Sequence, residues 1–497
     1  MTKDDPPLKD RIDALDLDRV LPGQRGLFYG CAWHRTSEQA ESISPGNGKS
    51  LGPFSIAQKA DIDRAMESAA AGFRTWRDTK PAERGRVLRA AAARLRENAV
   101  ELAMIDALDC GNPVREMVRD VEIAAGGLEY FGGLAQETKG DTVPIGPDDL
   151  NFTLREPLGV CVRIVPFNHP FMFAAMKAAA PLAAGNVIVI KPPHQAPLST
   201  LRLAELWADI IPPGVFNVLT GFGETGQALV THPTTARVDL IGSVPTGRAV
   251  MRSAAERITP VGLELGGKNA LIAWPDAAPD DVASAAVAGM NFTWCGQSCG
   301  STSRAFLHED IYDETLALIA ERASAIRPGL PSRYDTDMGA IASRDHYDRI
   351  LGFIDGARND GVRLVAGGGR PDDPELADGF YILPTVFADV TPDMAVAREE
   401  IFGPVLAVSR WSDPDAMFDV VNGVEYGLTA SLWTKDLDAA MRACRRVDAG
   451  YVWVNNTSQH FLGMPFGGFK QSGIGKEESL DELLSFTRLK SVNIRLG

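Results

Sequence analysis

From about Asn151 onward the chain repeats one unit, a short β-branched run followed by an alanine- and leucine-rich stretch of helical length. The runs are Gly159-Val-Cys-Val-Arg-Ile-Val, Asn186-Val-Ile-Val-Ile, Val215-Phe-Asn-Val-Leu and Arg237-Val-Asp-Leu-Ile. Runs without polar alternation suit strands covered on both faces, and strands separated by helices form βαβ units and a parallel sheet. A second set follows from Asn269 to about Asn456. Its candidate strands are Asn269-Ala-Leu-Ile-Ala-Trp, Arg304-Ala-Phe-Leu, Val362-Arg-Leu-Val, Pro404-Val-Leu-Ala-Val and Tyr451-Val-Trp-Val. A chain of 497 residues exceeds one ordinary core. The fold class expected is therefore α/β, with two Rossmann-like parallel-sheet domains and a ligand cleft between them, beyond the carboxyl ends of strands.

Two stretches fit neither domain. Thr142 to Glu156 reads as a β-hairpin around Gly146-Pro-Asp-Asp, and Phe486 to Leu496 is an alternating strand. A terminal strand needs a sheet edge, and an edge on another subunit is a common answer, so a homo-oligomer is expected. Between Ile56 and Ala135 the pattern is helical, with Pro81 and Pro113 at helix starts. Glu41 to Lys49 reads as a strand running into a Gly-Asn-Gly turn.

Charge excludes several partners. A net charge of −15 and a pI near 5.0 leave no basic face for nucleic acid or an anionic membrane, which points to a small-molecule ligand. Six cysteines in so long a chain are too sparse for a disulfide scaffold and suit a reducing compartment. The first residues lack an apolar signal core, and the apolar runs are too short to span a bilayer, so a cytoplasmic location is expected.

Chemistry concentrates in Trp294-Cys-Gly-Gln-Ser-Cys-Gly-Ser-Thr-Ser-Arg304, read with Gly262-Leu-Glu-Leu-Gly-Gly-Lys268. A cysteine in a Gly/Ser-rich bend after an apolar helix can meet backbone N–H groups that stabilise a thiolate and a neighbouring oxyanion. Glu264, set among glycines where backbone can approach closely, is the matching base. Cys295 and Cys299 do not match common zinc spacings, since no second close pair accompanies them, and no metal is expected.

Other motifs carry alternatives. Gly221-Phe-Gly-Glu-Thr-Gly226 fits GxGxxG between a strand and a helix, and either touches a dinucleotide or is only a tight βα turn. Gly242-Ser243 before Thr246-Gly247 is an equally good anion site at a helix N-terminus. Lys191 leaves a buried strand, as a solvated charge or a donor to ribose or phosphate. Asn168, boxed in Pro166-Phe-Asn-His-Pro170, is a turn residue or a catalytic donor. Glu399-Glu400 is helix-end chemistry or a ribose ligand.

The set Pro166-Phe-Asn168-His-Pro, Lys191-Pro-Pro, Gly242-Ser243, Leu263-Glu264-Leu-Gly-Gly-Lys268, Gly296-Gln-Ser-Cys299, Glu400-Ile-Phe402-Gly-Pro and Pro465-Phe466-Gly-Gly-Phe-Lys-Gln-Ser-Gly473 resembles the aldehyde dehydrogenase superfamily. The motifs occur in its order from about residue 27 to the C-terminus. The resemblance implies oxidation of an aldehyde to a carboxylic acid with NAD or NADP. It makes Cys299 the nucleophile, Asn168 with the Cys299 N–H the oxyanion hole, and Glu264 the base that hydrolyses the thioester. Glu264 argues against the coenzyme-A-acylating branch. Lys177 and Glu477 match a proton relay, Lys191 and Glu400 the ribose contacts, and Phe402 a residue beside the nicotinamide. Leu265 falls among the cofactor contacts. The resemblance moves the diphosphate to Gly242-Ser243 and leaves Gly221 near the adenine.

Departures from the family pattern are informative. His194 stands where NAD-preferring relatives often carry a carboxylate, so a 2′-phosphate is not repelled and NADP use is open. Pro245 replaces a frequent Glu and Trp294 a frequent Asn. Positions matching the aldehyde tunnel are His169, Met172, Phe173, Met176, Phe292, Ser298, His460 and Phe466, a mainly apolar wall suited to a medium-sized aromatic or unsaturated aldehyde.

The expected division follows. Residues 1–25 are a loosely held polar arm; 26–136 and 158–262 are the dinucleotide-binding domain; 263–456 are the catalytic domain. Residues 457–480 bridge back and line the tunnel, and 137–157 with 481–497 are oligomerisation strands. Two rival readings remain: a cysteine esterase or thioester-forming enzyme, and a structural protein whose Cys295 and Cys299 oxidise together.

Overall fold

A computed structural model describes residues 6–17 and 19–496. The first sheet has eight strands, in the spatial order Ala32–His34, Leu27–Tyr29, Phe216–Val218, Val187–Lys191, Val160–Ile164, Thr235–Gly242, Val261–Leu265 and Gly473–Ile474. Its central strands are parallel. They form because their apolar side chains are covered on both faces: Val160 to Val162 and Val187 to Ile190 are all buried. From Val160–Ile164 the chain winds to one side and then returns to the other at Thr235–Gly242. A crevice therefore opens at the carboxyl ends of these two strands, where Pro166–Pro170 and Gly242-Ser243 lie.

The second sheet runs Arg363–Ala366, Thr385–Ala388, Val405–Trp411, Arg304–His308, Ala270–Ala273, Thr429–Trp433 and Tyr451–Val454. Only its edge strand Arg363–Ala366 is antiparallel. Thr385–Ala388 and Thr429–Trp433 are missing from the strands expected from sequence. The Thr and Ser of Thr429-Ala-Ser-Leu-Trp imitate a loop, yet both are buried, and Ser431 donates to the Asn456 carbonyl at 2.8 Å.

Val261–Leu265 belongs to the first sheet, so the expected boundary at 262/263 cuts through a strand. The chain changes units over Gly266 to Asn269 and enters the middle of the second sheet at Ala270. This short crossing is what lets Glu264, on one sheet, face a loop that belongs to the other.

The N-terminal arm is not loose over its described part. The helix Leu8–Asp13 packs against Ala99–Cys110 and buries Ile12, and Val20 is buried as well. Residues 1–5 and 18 of that arm lie outside the described residues.

The C-terminal strand Thr487–Arg495 finds its edge within its own chain, contrary to expectation. It pairs antiparallel with Asp149–Pro157 along its whole length, from Thr487 opposite Pro157 to Arg495 opposite Asp149. The hairpin around Gly146 is correspondingly short, one bridge between Thr142 and Phe152 with flanking backbone bonds. Leu150, Phe152 and Leu154 stand opposite Ile494, Val492 and Lys490, which gathers apolar side chains on one face of the ribbon. Leu150, Leu154 and Ile494 are exposed. No helix among the described residues is long and apolar enough to cross a membrane.

Candidate active site

The Cys299 loop begins where the alanine-rich helix Pro279–Gly289 stops. A tight turn, Phe292–Trp294, follows, flanked by Asn291 and Cys295, both left-handed with φ of 56°. These reversals send Phe292 into the core of the second unit, 2% exposed, while Trp294 faces the cavity beside Cys299. Phe292 is therefore not a wall residue, contrary to the sequence reading. Cys295 is fully buried in the same core, and both it and Cys299 are free thiols. The loop is clamped by Asn269, whose Nδ2 donates to the carbonyls of Cys299 at 2.7 Å and Ser301 at 3.0 Å. Asn269 Oδ1 in turn accepts the Thr429 N–H at 3.0 Å, tying the loop to the second sheet.

Glu264 arrives from the first sheet. Its strand is backed by Gly473, which pairs with it and has φ of 151°; a Cβ there would lie 2.1 Å from the Leu263 carbonyl oxygen. Glycine is thus required for the bridging segment to lie on the base-bearing strand. The Glu264 carboxyl is buried within hydrogen-bonding reach of the Cys299 thiol, and its Oε1 has no hydrogen-bond partner among the described residues. Burial, then the charge of Glu477, holds this carboxyl well above the usual range. Burial, then the charges of Glu264 and Glu400, likewise raises the Cys299 thiol.

Asn168 meets the same loop from the crevice side. Its Nδ2 donates to the Gln297 carbonyl at 2.9 Å, which leaves its second N–H uncommitted. Asn112 Nδ2 holds the Asn168 carbonyl at 2.6 Å. Lys177, fully buried on the helix Pro170–Ala183, forms an ion pair with Glu477 at 2.9 Å. Arg163 extends that pair to Asp239 and Glu482, both at 3.4 Å. A buried ribbon of alternating charge therefore starts beside Glu264.

Together these groups open onto one cavity of about 640 Å³. Of the expected wall residues it brings together His169, Met172, Phe173, Met176, Ser298, His460 and Phe466. Trp294, Trp453, Phe461, Leu462, Asp120 and Glu478 join them. Sequence reasoning missed Asp120, although it sits on the buried stripe Met117, Val121, Ala124, Leu128 of its helix, an unusual place for an acid. It receives His169 Nδ1 at 2.6 Å. Glu478 likewise holds His460 Nδ1, at 3.1 Å.

The family model for the aldehyde dehydrogenase family matches residues 33–492. The chain is also 50% identical over 491 residues to aldehyde dehydrogenase tropH of Talaromyces stipitatus, covering 97% of this chain and 95% of that one. This chain belongs to the aldehyde dehydrogenase family. PnpE from Pseudomonas sp. WBC-3, solved also in complex with NAD, superposes with a TM-score of 0.93 at 37% identity, over 95% of this chain and 98% of its own. An aldehyde dehydrogenase from Bacillus cereus in complex with NAD+ does so with a TM-score of 0.93 at 33% identity, over 99% of both chains. The protein is accordingly an oxidoreductase, an aldehyde dehydrogenase using NAD or NADP.

The nucleotide side of this aldehyde dehydrogenase fits such a cofactor. Among the described residues Lys191, buried at a strand end, donates only to the Pro192 carbonyl, and burial lowers it to about 8. A ribose hydroxyl would suit this ammonium as a further acceptor. Ser243 caps the helix Val244–Ala255, whose first N–H groups face the crevice end of its strand. Glu400 Oε1 accepts the Gly267 N–H at 3.0 Å, and a Cβ on Gly266 would lie 1.9 Å from its other oxygen, so the glycine pair admits this carboxylate. Leu265 packs under Gly247 of the capped helix. Phe402, left-handed at φ 55°, is fixed by His346 on its carbonyl at 2.7 Å and by Phe167 at 5.8 Å. His194 lies 5.0 Å from Phe222, beside the Gly221 turn, and burial and Lys191 lower its pKa.

Proposed function

We propose that this enzyme oxidises a medium-sized aromatic or unsaturated aldehyde by covalent catalysis at Cys299, with Glu264 as the base for deacylation. One observation supports this above all: a thiol and a buried carboxyl from different sheets meet in a single apolar-walled cavity beside an uncommitted amide N–H. Glu264 takes the thiol proton as sulfur adds to the carbonyl carbon. The resulting oxyanion is held by Asn168 Nδ2 and the Cys299 backbone N–H. Bound NAD(P)+ supplies the acceptor for the hydride that leaves this carbon. Once Lys177 and Glu477 have drawn off that first proton, Glu264 removes a proton from water, the hydroxide adds to the thioester, and the thiolate departs as the acid forms. Lys177 and Glu477 carry the proton from buried Glu264 towards solvent.

Lys191, Glu400 and the Gly242-Ser243 turn would hold the cofactor, with Gly221 and His194 near its adenosine end and Phe402 and Leu265 near its nicotinamide end. The neutral His194 does not repel a 2′-phosphate as a carboxylate would, so both NAD+ and NADP+ are accepted. Copies of the chain assemble through the apolar face of the terminal ribbon.

An aldehyde panel with both cofactors tests the chemistry. Cys299→Ala abolishes NAD(P)H formation, a loss of about a thousandfold or more. Glu264→Gln gives one burst of NAD(P)H and then slow turnover. Full activity of the alanine variant, steady turnover of the glutamine variant, or use of NAD+ alone each removes its part of the reading. Ester hydrolysis without aldehyde oxidation would favour the esterase alternative.

A further inference from the structure

His169 and His460 belong to the same cavity as Cys299, and each has its Nδ1 committed to a carboxylate, Asp120 at 2.6 Å and Glu478 at 3.1 Å. Neither Nε2 makes a hydrogen bond among the described residues. The rings are also packed into place. His169 stands edge-on to Trp294 at 4.7 Å, and His460 lies 4.4 Å from Phe466. The indole N–H of Trp294 is buried without an acceptor among the described residues. Much of the rest of the wall is methionine, phenylalanine and leucine. Two oriented ring nitrogens in such a wall are the few placed polar groups by which a small-molecule site chooses its ligand.

We infer that His169 and His460 are specificity-determining residues that select aldehydes carrying a hydroxyl group, a reading that rests on the aldehyde-oxidising function of this cavity. A hydroxyl suits either protonation state of each ring, because it donates to a bare Nε2 and accepts from an Nε2–H. A carboxylate suits only two protonated rings. It would also face Asp120, Glu122, Glu477 and Glu478, while Lys177, the one lysine or arginine among the lining residues, is already paired with Glu477. An unsubstituted apolar aldehyde would leave both nitrogens and the indole N–H without partners, which costs affinity.

Matched substrates test this in the intact enzyme: benzaldehyde against 3- and 4-hydroxybenzaldehyde and 4-carboxybenzaldehyde, and hexanal against 6-hydroxyhexanal. The wild type should favour the hydroxylated member in kcat/KM by about 10- to 100-fold. His169→Phe or His460→Phe should bring that ratio close to one, and His460→Gln should restore part of it. The ratio is taken within each variant, so a general loss of activity cancels. His460 is partly exposed, so its variants keep the test open should His169→Phe leave Asp120 buried and the protein unfolded. A wild-type ratio near one, a preference for the carboxylated aldehyde, or ratios unchanged in both histidine series overturns the inference. Oxidation without hydroxyl preference defeats this inference alone, whereas failure to oxidise any aldehyde defeats the underlying function as well.

Discussion

Cys299 sits among Glu264, Glu400 and Glu477, and each charge joins burial in disfavouring its thiolate. Only the thiolate is nucleophilic, so below the raised pKa the reactive fraction grows about tenfold per pH unit. Iodoacetamide labelling of Cys299 in the cofactor-free enzyme should therefore climb from pH 6 to pH 9 without a plateau. Glu264→Gln removes one of these charges, lowers the thiol pKa and should speed labelling at neutral pH. A wild-type plateau below pH 8, or slower labelling in the variant, would show that the thiol is activated in some other way. Glu264 itself is shifted in the same direction, because burial and the charge of Glu477 disfavour its carboxylate. In the proposed cycle a proton must leave this buried carboxyl, and the adjacent Lys177–Glu477 ion pair would be its route.

At the scale of elements, what positions Glu400 is the absence of side chains on the crossing segment Gly266-Gly267. Gly266→Ala would place a methyl 1.9 Å from a Glu400 oxygen and push that carboxylate out of the proposed ribose site. The expected result is a rise of about tenfold in KM for NAD(P)+, with the burst at Cys299 retained at saturating cofactor. An unchanged KM would detach Glu400 from cofactor binding. The strands of the first sheet are legible in the sequence because β-branched runs that end at Lys191, shortly before Asn168 or at Gly242-Ser243 mark where a strand covered on both faces stops. Phe292 was misplaced because the two left-handed residues around it, Asn291 and Cys295, are not glycines and leave no trace in composition. The His169–Asp120 pair was invisible for a different reason. Its members lie 49 positions apart, and only the packing of two helices brings them together.

For the whole molecule, the ribbon of Asp149–Pro157 and Thr487–Arg495 is the clearest surface for self-association. Its two strands present an apolar face holding Leu150, Phe152, Leu154, Val492 and Ile494. On the proposed assembly, Leu154→Glu with Ile494→Glu should convert an oligomer to monomer in light scattering coupled to size exclusion, with the melting temperature lowered. An unchanged mass would move the interface elsewhere. The alternating strand was recognised from its sequence, but its partner was not, since pairing depends on which edge is nearest in space. Residues over 300 positions apart meet along that ribbon.

The same long reach governs how the chain can be made. The sheet that carries Glu264 begins with Leu27–Tyr29 and is closed by Gly473–Ile474. On a ribosome the dinucleotide-binding half thus emerges hundreds of residues before its last strand. Val261–Leu265 must wait with an open edge while the whole second unit is synthesised. Pairings of such separation fold slowly, and an unpaired parallel sheet invites aggregation. The strand that carries Glu264 therefore gains its Gly473–Ile474 backing only after the whole second unit has been made.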